Sequence, residues 1–245
     1  MSAGRHASVL LAALWFAAPV AADEPSYVVE SAAEPAPKTA MLEGSESAWY
    51  FARRIVWGPE PYHTTFAAIS TFEGLFVRFD AVDPEPWHTM TRRDDHLWEE
   101  EVVEVFLDLN RSGRDYAEVE ISPANVVCDV RMAQPSPDKV SDLSWDLAGL
   151  ESRVVPLRDA AGKTIGWTAI ALLPWNGFRS LPSASGVHLP PRRGDRWRFN
   201  VFRIERPGGP KAPDKDAVFA AWSPTGQPSF HVPSAFRDLV FGAAR

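Results

Sequence analysis

Apolar residues in this chain recur at every second position, in strand-length runs closed by turn residues. That period fits a pleated strand and does not fit a helix. Leu75, Val77 and Phe79 share one side of their segment, and Val103, Val105 and Leu107 share one side of theirs. Ala117, Val119 and Ile121 face one way while Glu118 and Glu120 face the other. Val126, Cys128, Val130 and Met132 alternate in the same manner. Further strands are predicted at 66–71, 153–157, 164–173, 197–205, 219–222 and 239–241. Glu73-Gly74, Arg111-Ser112-Gly113, Ala161-Gly162-Lys163 and Pro207-Gly208-Gly209-Pro210 supply the turns between them. No window predicts an amphipathic helix longer than about two turns. Residues 174–179 fit a single turn with Pro174 at its start. The expectation is an all-β fold, an antiparallel β-sandwich of jelly-roll or immunoglobulin-like type, in one domain over 42–245.

Ahead of that domain lie two segments of different character. Val9 to Val20 is an apolar run too short to span a bilayer, and Val20-Ala21-Ala22 places small residues where a signal peptidase cuts. Residues 1–22 are therefore expected to be a signal peptide cleaved after Ala22, with an uncleaved anchor as the alternative. The product is expected to be secreted or periplasmic, with no membrane insertion after cleavage. Residues 23–41, rich in Ala, Pro and Glu, form an extended lead-in with at most one short strand at Tyr27-Val28-Val29. This lead-in is a candidate cover for a sheet edge.

The formal charge of −7 argues against a nucleic-acid partner, which needs clustered Lys and Arg. A single cysteine excludes a disulfide framework and any multi-cysteine metal site. Cys128, on an apolar strand face, is expected to be a buried free thiol. The chain carries ten Trp, one of them Trp15 in the expected signal peptide. Trp49, Trp167, Trp175, Trp197 and Trp222 fall on or beside predicted strands and are expected to pack the core. Trp57, Trp87 and Trp145 lie on connections and have no predicted place.

The remaining Trp stands in the densest polar segment, Thr91 to Glu104. On a charged connection just before a strand, Trp98 either sits at the rim of an open sheet face or folds back over an edge. Indole faces stack on pyranose rings, and carboxylates bond their hydroxyls. Glu104 shares a strand face with Val102, Phe106 and Asp108, opposite the Val103 face. Glu118 and Glu120 project the same way from the next strand, so these acids and Tyr116 are predicted on one sheet face. Asp108, Asn110 and Ser112, with Gly113 and Asp115, give oxygens at the first spacings of a calcium loop, although Val119 stands where its last glutamate belongs. A tight hairpin uses the same residue types.

Catalytic signatures are weak. Glycoside hydrolysis needs two carboxyls about 5–10 Å apart, one with a raised pKa. The run Glu99-Glu100-Glu101 offers carboxyls but no visible means of burying one. No G-x-S-x-G elbow, H-E-x-x-H or phosphate loop occurs, and the expectation is not an enzyme. Without C-x-x-C-H, covalent haem is excluded. A non-covalent haem would draw on Met90 or Met132 with His63, His88 or His231, whereas core filling is the ordinary role of Met132.

The run Leu97-Trp98-Glu99-Glu100-Glu101-Val102-Val103-Glu104-Val105-Phe106-Leu107-Asp108 resembles the central signature of carbohydrate-binding module family 9, within the wider DOMON-like group. Gly166-Trp167 with Pro174-Trp175, then Gly194 to Val201 with Arg203, then Trp222-Ser223-Pro224 and Phe236-Arg237-Asp238-Leu239 resemble its later marks in order. Leu42-Glu43-Gly44 and Trp49 resemble its opening, with Glu in place of Asp. The resemblance covers roughly 42–241. It implies a β-sandwich that holds a poly- or oligosaccharide between two aromatic rings and carries structural calcium. By position, Trp98 corresponds to the first ring, Phe230 to the second and Glu104 to a hydroxyl-binding glutamate. Glu118 and Glu120 stand where the family has Arg and Asn, a change that suits an amine-bearing or cation-bridged ligand, or loss of sugar binding. The calcium expectation falls on Asp108, Asn110, Ser112 and Asp115. Two other classes follow from the same residues: a DOMON-type haem or redox module, and an envelope scaffold that has kept the fold and lost the sugar.

Overall fold

The computed structural model describes residues 26–32 and 35–244, so the expected signal peptide and Trp15 lie outside the described residues. Among the described residues the strands are β1 (Ser26–Ser31), β2 (Arg54–Trp57), β3 (Thr64–Ser70), β4 (Gly74–Val82), β5 (Val102–Asp108), β6 (Tyr116–Ile121) and β7 (Val127–Gln134). After them come β8 (Val140–Asp142), β9 (Glu151–Arg158), β10 (Thr164–Pro174), β11 (Arg196–Glu205), β12 (Val218–Ala221) and β13 (Arg237–Ala244). Two short helices, α1 (Lys38–Leu42) and α2 (Glu46–Trp49), follow β1 in the chain. The predicted strands are all present. The strands β2 and β8 and the two short helices were not anticipated as such.

All the strands belong to one sheet, in the order β8-β7-β6-β5-β11-β13-β1-β3-β4-β10-β9, with β12 added to β11 and β2 to β3. Neighbours pair antiparallel except at β1, which runs parallel to both β13 and β3. The expected antiparallel sandwich is thus corrected to a single mixed sheet that curls on itself. The reason is β1, which bonds to both halves and leaves no gap where two sheets would separate. The lead-in is consequently not an edge cover but an interior strand. Tyr27 and Val29 are fully buried, and the Tyr27 hydroxyl donates to Arg53 O at 2.6 Å while accepting from Ala68 N at 2.8 Å. Burying such side chains contributes about 1.5–3 kcal/mol each, enough to draw a short alternating segment into the sheet.

The inner core lies between the two halves of the curl. Val103, Val105 and Leu107 of β5, with Ala117, Val119 and Ile121 of β6, meet Val77 and Phe79 of β4 and Ala169 and Ala171 of β10. Trp197 packs edge-on against Trp175 and Phe241, with ring centroids at 6.0 and 5.0 Å. The Trp residues expected in the core are there, although Trp222 is only partly buried at its margin. Trp57 and Trp145 join the same core, and Trp87 anchors a loop through its indole N–H to Arg206 O at 2.8 Å. Cys128 is a buried free thiol, as expected. Close approach explains one glycine: a Cβ on Gly166 would stand 2.0 Å from Ala81 O, which no side chain tolerates across the β10–β4 pairing. Pro174 closes β10 rather than opening a turn, and the turn itself is a short 3₁₀ segment, Gly177–Ser180. No helix among the described residues is long and apolar enough to cross a membrane.

Each half of the curl also has an outer face. Ala67, Ile69, Phe76, Ile170 and Leu172 form one, covered by α1, α2 and Trp49. Val102, Phe106, Tyr116, Cys128, Val130, Met132, Phe202 and Ile204 form the other. Loops rather than helices cover this second face, and they leave a cavity.

Candidate functional site

Strand register determines which groups meet on the second outer face. Glu104 of β5 stands opposite Glu120 of β6 and opposite Phe202 of β11, and Glu118 lies opposite Phe106. The three carboxyls converge, with one oxygen from each lying within 4.8 Å of the others. The sequence places them together on this face, as found. It does not show their burial: Glu104, Glu118 and Glu120 are 2, 5 and 0 % exposed. Their face points away from the inner core, but a second apolar layer covers it.

The segment before β5 is held by its own acids. Glu100 accepts from Thr89 N at 2.8 Å, from the Thr89 hydroxyl and from Met90 N at 3.2 Å. Glu101 accepts from Trp87 N at 2.9 Å. Asp95 accepts from Thr91 N and Arg92 N, and Arg93 binds Asp129 and Asp146. The expectation that nothing buries a member of the Glu99–Glu101 run is corrected. Glu101 is fully buried beside Asp83 and Glu205, and burial followed by those two charges pushes its pKa up to about 10. Arg203, itself fully buried, pairs with Asp83 at 3.2 Å and with Glu205. This cluster ties the loop to the sheet. From the loop so fixed, a 3₁₀ turn at Leu97–Glu99 sinks Leu97 into the second core and leaves Trp98 half-buried at its rim. The His96 ring stacks on Trp98 at 4.5 Å.

A cavity of about 650 Å³ opens above the carboxyls. Trp98, Phe230, Glu104 and Glu118 all line it, together with Met132, Phe219, Lys139 and His231. Glu120 lies beneath, behind the wall. Phe230 stacks on Phe202 at 4.3 Å, so one of its faces is already covered. The two aromatic residues named from the sequence therefore share one cavity with Glu104 and Glu118.

Electrostatically the floor is out of balance. Among the described residues no Lys or Arg stands within ion-pair distance of these carboxyls, and the nearest cationic candidate is His231 Nδ1, 4.0 Å from Glu118. Burial raises all three pKa values, with mutual repulsion adding for Glu104 and Glu120. Glu118 rises to about 7, held back by Glu120 and Lys139. Neither Glu120 oxygen has a donor against it. Carboxylates only accept, so a proton shared with Glu118 is what satisfies them. His231 is pushed down to about 3 by burial and by Lys139, and is neutral. Lys139 Nζ lies 3.1 Å from its Nε2. An ammonium only donates, so Nε2 accepts and the ring proton sits on Nδ1, facing the Tyr116 hydroxyl at 3.1 Å.

Two expected ligands can be tested against this geometry. The Asp108 half-loop is a closed hairpin: Asp108 accepts from Ser112 N at 3.2 Å and Gly113 N at 2.7 Å, and Asn110 Oδ1 accepts from Ser112 N at 3.1 Å. Ser112 Oγ donates to Arg114 O, and Asp115 turns away to pair with Arg131 at 2.6 Å. In this structure these oxygens serve the turn. For haem, Met132 and His231 do reach the cavity, but both His231 nitrogens are engaged and its ring lies on Phe106 at 5.2 Å. His63 pairs with Glu60, and His88 is exposed. Met90 packs against the second core. Of the three histidines expected for haem, His231 is the one that reaches the cavity among the described residues, and neither of its nitrogens is open.

Lys139 escaped the sequence reading entirely, His96 entered it only as one of a histidine pair whose eight-residue gap from His88 fits no ligand spacing, and His231 only as a haem partner. A lone Lys between Pro137 and Val140 carries no spacing signal. His231, adjacent to Phe230, could have been read from that neighbour.

No family profile matches the chain. A relative described as an extracellular protein of Arthroderma benhamiae is 26 % identical over 185 residues, spanning 73 % of this chain and 78 % of its own. Among solved structures, a Bacteroides uniformis protein described as carbohydrate-binding superposes with a TM-score of 0.63 at 17 % identity, over 88 % of this chain and 98 % of its own. A family 9 carbohydrate-binding module from Caldicellulosiruptor kristjanssonii, solved with cellotriose, gives 0.60 at 13 % identity, over 90 % of this chain and 95 % of its own. The same kind of module with glucose bound gives 0.60 over 90 % of this chain. The fold is that of these modules.

Proposed function

We propose that this is an exported, non-catalytic carbohydrate-binding protein, and that a saccharide enters the cavity between Trp98 and Phe230 with Glu104 and Glu118 bonding its polar groups. The observation that carries the reading is the meeting of those four residues in one cavity of about 650 Å³, on a fold shared with carbohydrate-binding modules. The extracellular relative supports export.

The carboxyl arrangement favours binding over hydrolysis. A glycosidase flanks the scissile bond with its two acids. Here all three acids rise from adjacent strands on one side, with oxygens within 4.8 Å of each other. No sugar ring fits between them. Because few groups are desolvated at an open cavity, the expected dissociation constant is of order µM to mM.

The test is intrinsic Trp fluorescence and calorimetry with neutral and amino oligosaccharides, on the wild type and on Trp98→Ala. Saturable binding that weakens in the variant supports the reading, and identical behaviour of the two proteins across the panel sinks it. An absorption spectrum of the purified protein separates the redox alternative, which needs a Soret band.

A further inference from the structure

We propose that the cavity selects a saccharide bearing a positively charged amino group, and that Lys139 holds that group's place in the free protein. The inference rests on the saccharide reading above and goes beyond it by naming the ligand's charge.

The first support is the donor deficit of the floor. Glu104 and Glu118 line the cavity and Glu120 lies directly behind them. Among the described residues none of the three has a Lys or Arg partner at ion-pair distance, and Glu120, 0 % exposed, has no donor other than the proton it shares with Glu118. Any group that satisfies acceptor-only carboxylates must donate. A hydroxyl donates one hydrogen and leaves the floor carboxyls needing their protons, which a cation can replace. An ammonium donates three and carries the opposite charge.

The second support is independent of the acids. Lys139 stands on the exposed connection between β7 and β8, yet its ammonium lies over the Trp98 ring at 5.8 Å and against His231 Nε2 at 3.1 Å. An indole face and a neutral imidazole nitrogen are a setting that accepts a cation. The chain's own ammonium thus already occupies the aromatic wall, beyond ion-pair reach of the carboxyls below. An amino sugar stacked on Trp98 would bring its own ammonium to Glu118 and Glu104 and displace Lys139 from the ring.

The charged groups around the floor are Glu104, Glu118 and Glu120 from β5 and β6, Lys139 from the β7–β8 connection and His231 from the segment before β13. Tyr116 and Cys128 complete the titratable set and stay neutral, since burial raises both.

The experiment is calorimetry on the full protein near pH 6.5 with three probes of equal length: a glucosamine trimer with free amines, its N-acetylated form, and cellotriose. The free-amine trimer should bind about tenfold or more tighter than either neutral trimer. That preference should fall below about threefold in Glu118→Gln, checked for folding by circular dichroism. Lys139→Met, on the exposed connection, should tighten amine binding by about threefold, because a competing ammonium is gone. Binding of a neutral trimer as tight as that of the free-amine trimer overturns the charge selection and leaves the saccharide reading standing. Binding of none of the three overturns both. Weaker amine binding in Lys139→Met overturns the place-holding role. Calcium or manganese chloride binding alone below millimolar, and lost in Glu118→Gln, would assign the floor to a metal ion and overturn the proposal.

Discussion

The two outer faces of the curled sheet both bury charge, and they neutralise it differently. On the β3–β4–β10 face, Arg78 and Asp80 are 5 and 8 % exposed. Arg78 binds Asp80 at 2.8 Å and Glu46 of α2 at 2.6 Å, and Asp80 also takes Arg54 at 3.1 Å and the Thr168 hydroxyl at 2.8 Å. Trp49 lies under the same guanidinium, 6.0 Å away. Every charge there has a partner from the chain, and helices close the face. On the β5–β6–β7–β11 face the buried charges are all acidic, none has a Lys or Arg partner among the described residues, and the cover leaves a cavity. The contrast teaches that this fold can supply a counter-charge where the group is structural. Its absence at the cavity is what gives the three glutamates a reading as ligand-binding groups.

The largest expected effect lies on the paired face. Arg78→Met leaves Asp80 with Arg54 as its one cation and the Thr168 hydroxyl as donor, and should lower stability by about 3 kcal/mol, read from the urea midpoint. A loss below about 1 kcal/mol would erase the distinction between the faces.

The unpaired face should reveal itself through pH. Glu118 has a folded pKa of about 7, above the unfolded value of a glutamate. Its folded state therefore holds a proton that the unfolded state has released. Its contribution is full below about pH 4.5 and is lost as pH rises through about 7, by roughly 3 kcal/mol. Glu104 and Glu120, raised further, extend the loss to higher pH. Glu101 and Asp129 contribute with the same sign from elsewhere in the fold, so Glu120→Gln isolates the cavity's share. His231, depressed to about 3, has the opposite sign and adds stability as pH rises to about 6.5, so it is urea midpoints climbing between about pH 7 and 8 that would contradict the raised floor.

Trp98→Ala should weaken saccharide binding about tenfold while moving stability by less than about 1 kcal/mol, since the ring is half-buried at a rim. A large stability loss with unchanged binding would return Trp98 to the role of a cover. The smallest effect is expected from Glu120→Gln. It removes a buried charge without a donor and should raise stability at pH 8 by about 1 kcal/mol, whereas destabilisation would show that Glu120 already has a partner.

Much of this was legible in the sequence, for physical reasons. Alternation fixes which face each strand residue takes, so Glu104, Glu118 and Glu120 could be grouped before any coordinates. Alternation says nothing of what lies above a face. Hence the shared face of Glu118 and Glu120 was legible and their burial was not. The central place of β1 was hidden because six residues behind an Ala- and Pro-rich stretch carry too little pattern to distinguish an edge from the middle. The Glu99–Glu101 run read as solvated because its partners, Thr89, Trp87 and Asp83, come from the loop ahead of it and the end of β4. Asp108 to Asp115 fits a calcium loop and a hairpin equally by residue type, and the turn of Asp115 toward Arg131 is not encoded in that spacing. Lys139 acquires its place from the folding of a loop, which no periodicity encodes.

The most direct test follows the two indole N–H signals by NMR while a glucosamine trimer is added. Trp49, whose N–H donates to Met41 O at 3.0 Å under the helices, reports the paired face, and Trp98 reports the cavity. The account predicts a saturable shift of the Trp98 signal with Trp49 unmoved. A shift at Trp49, or a bound saccharide that leaves Trp98 where it was, would contradict it.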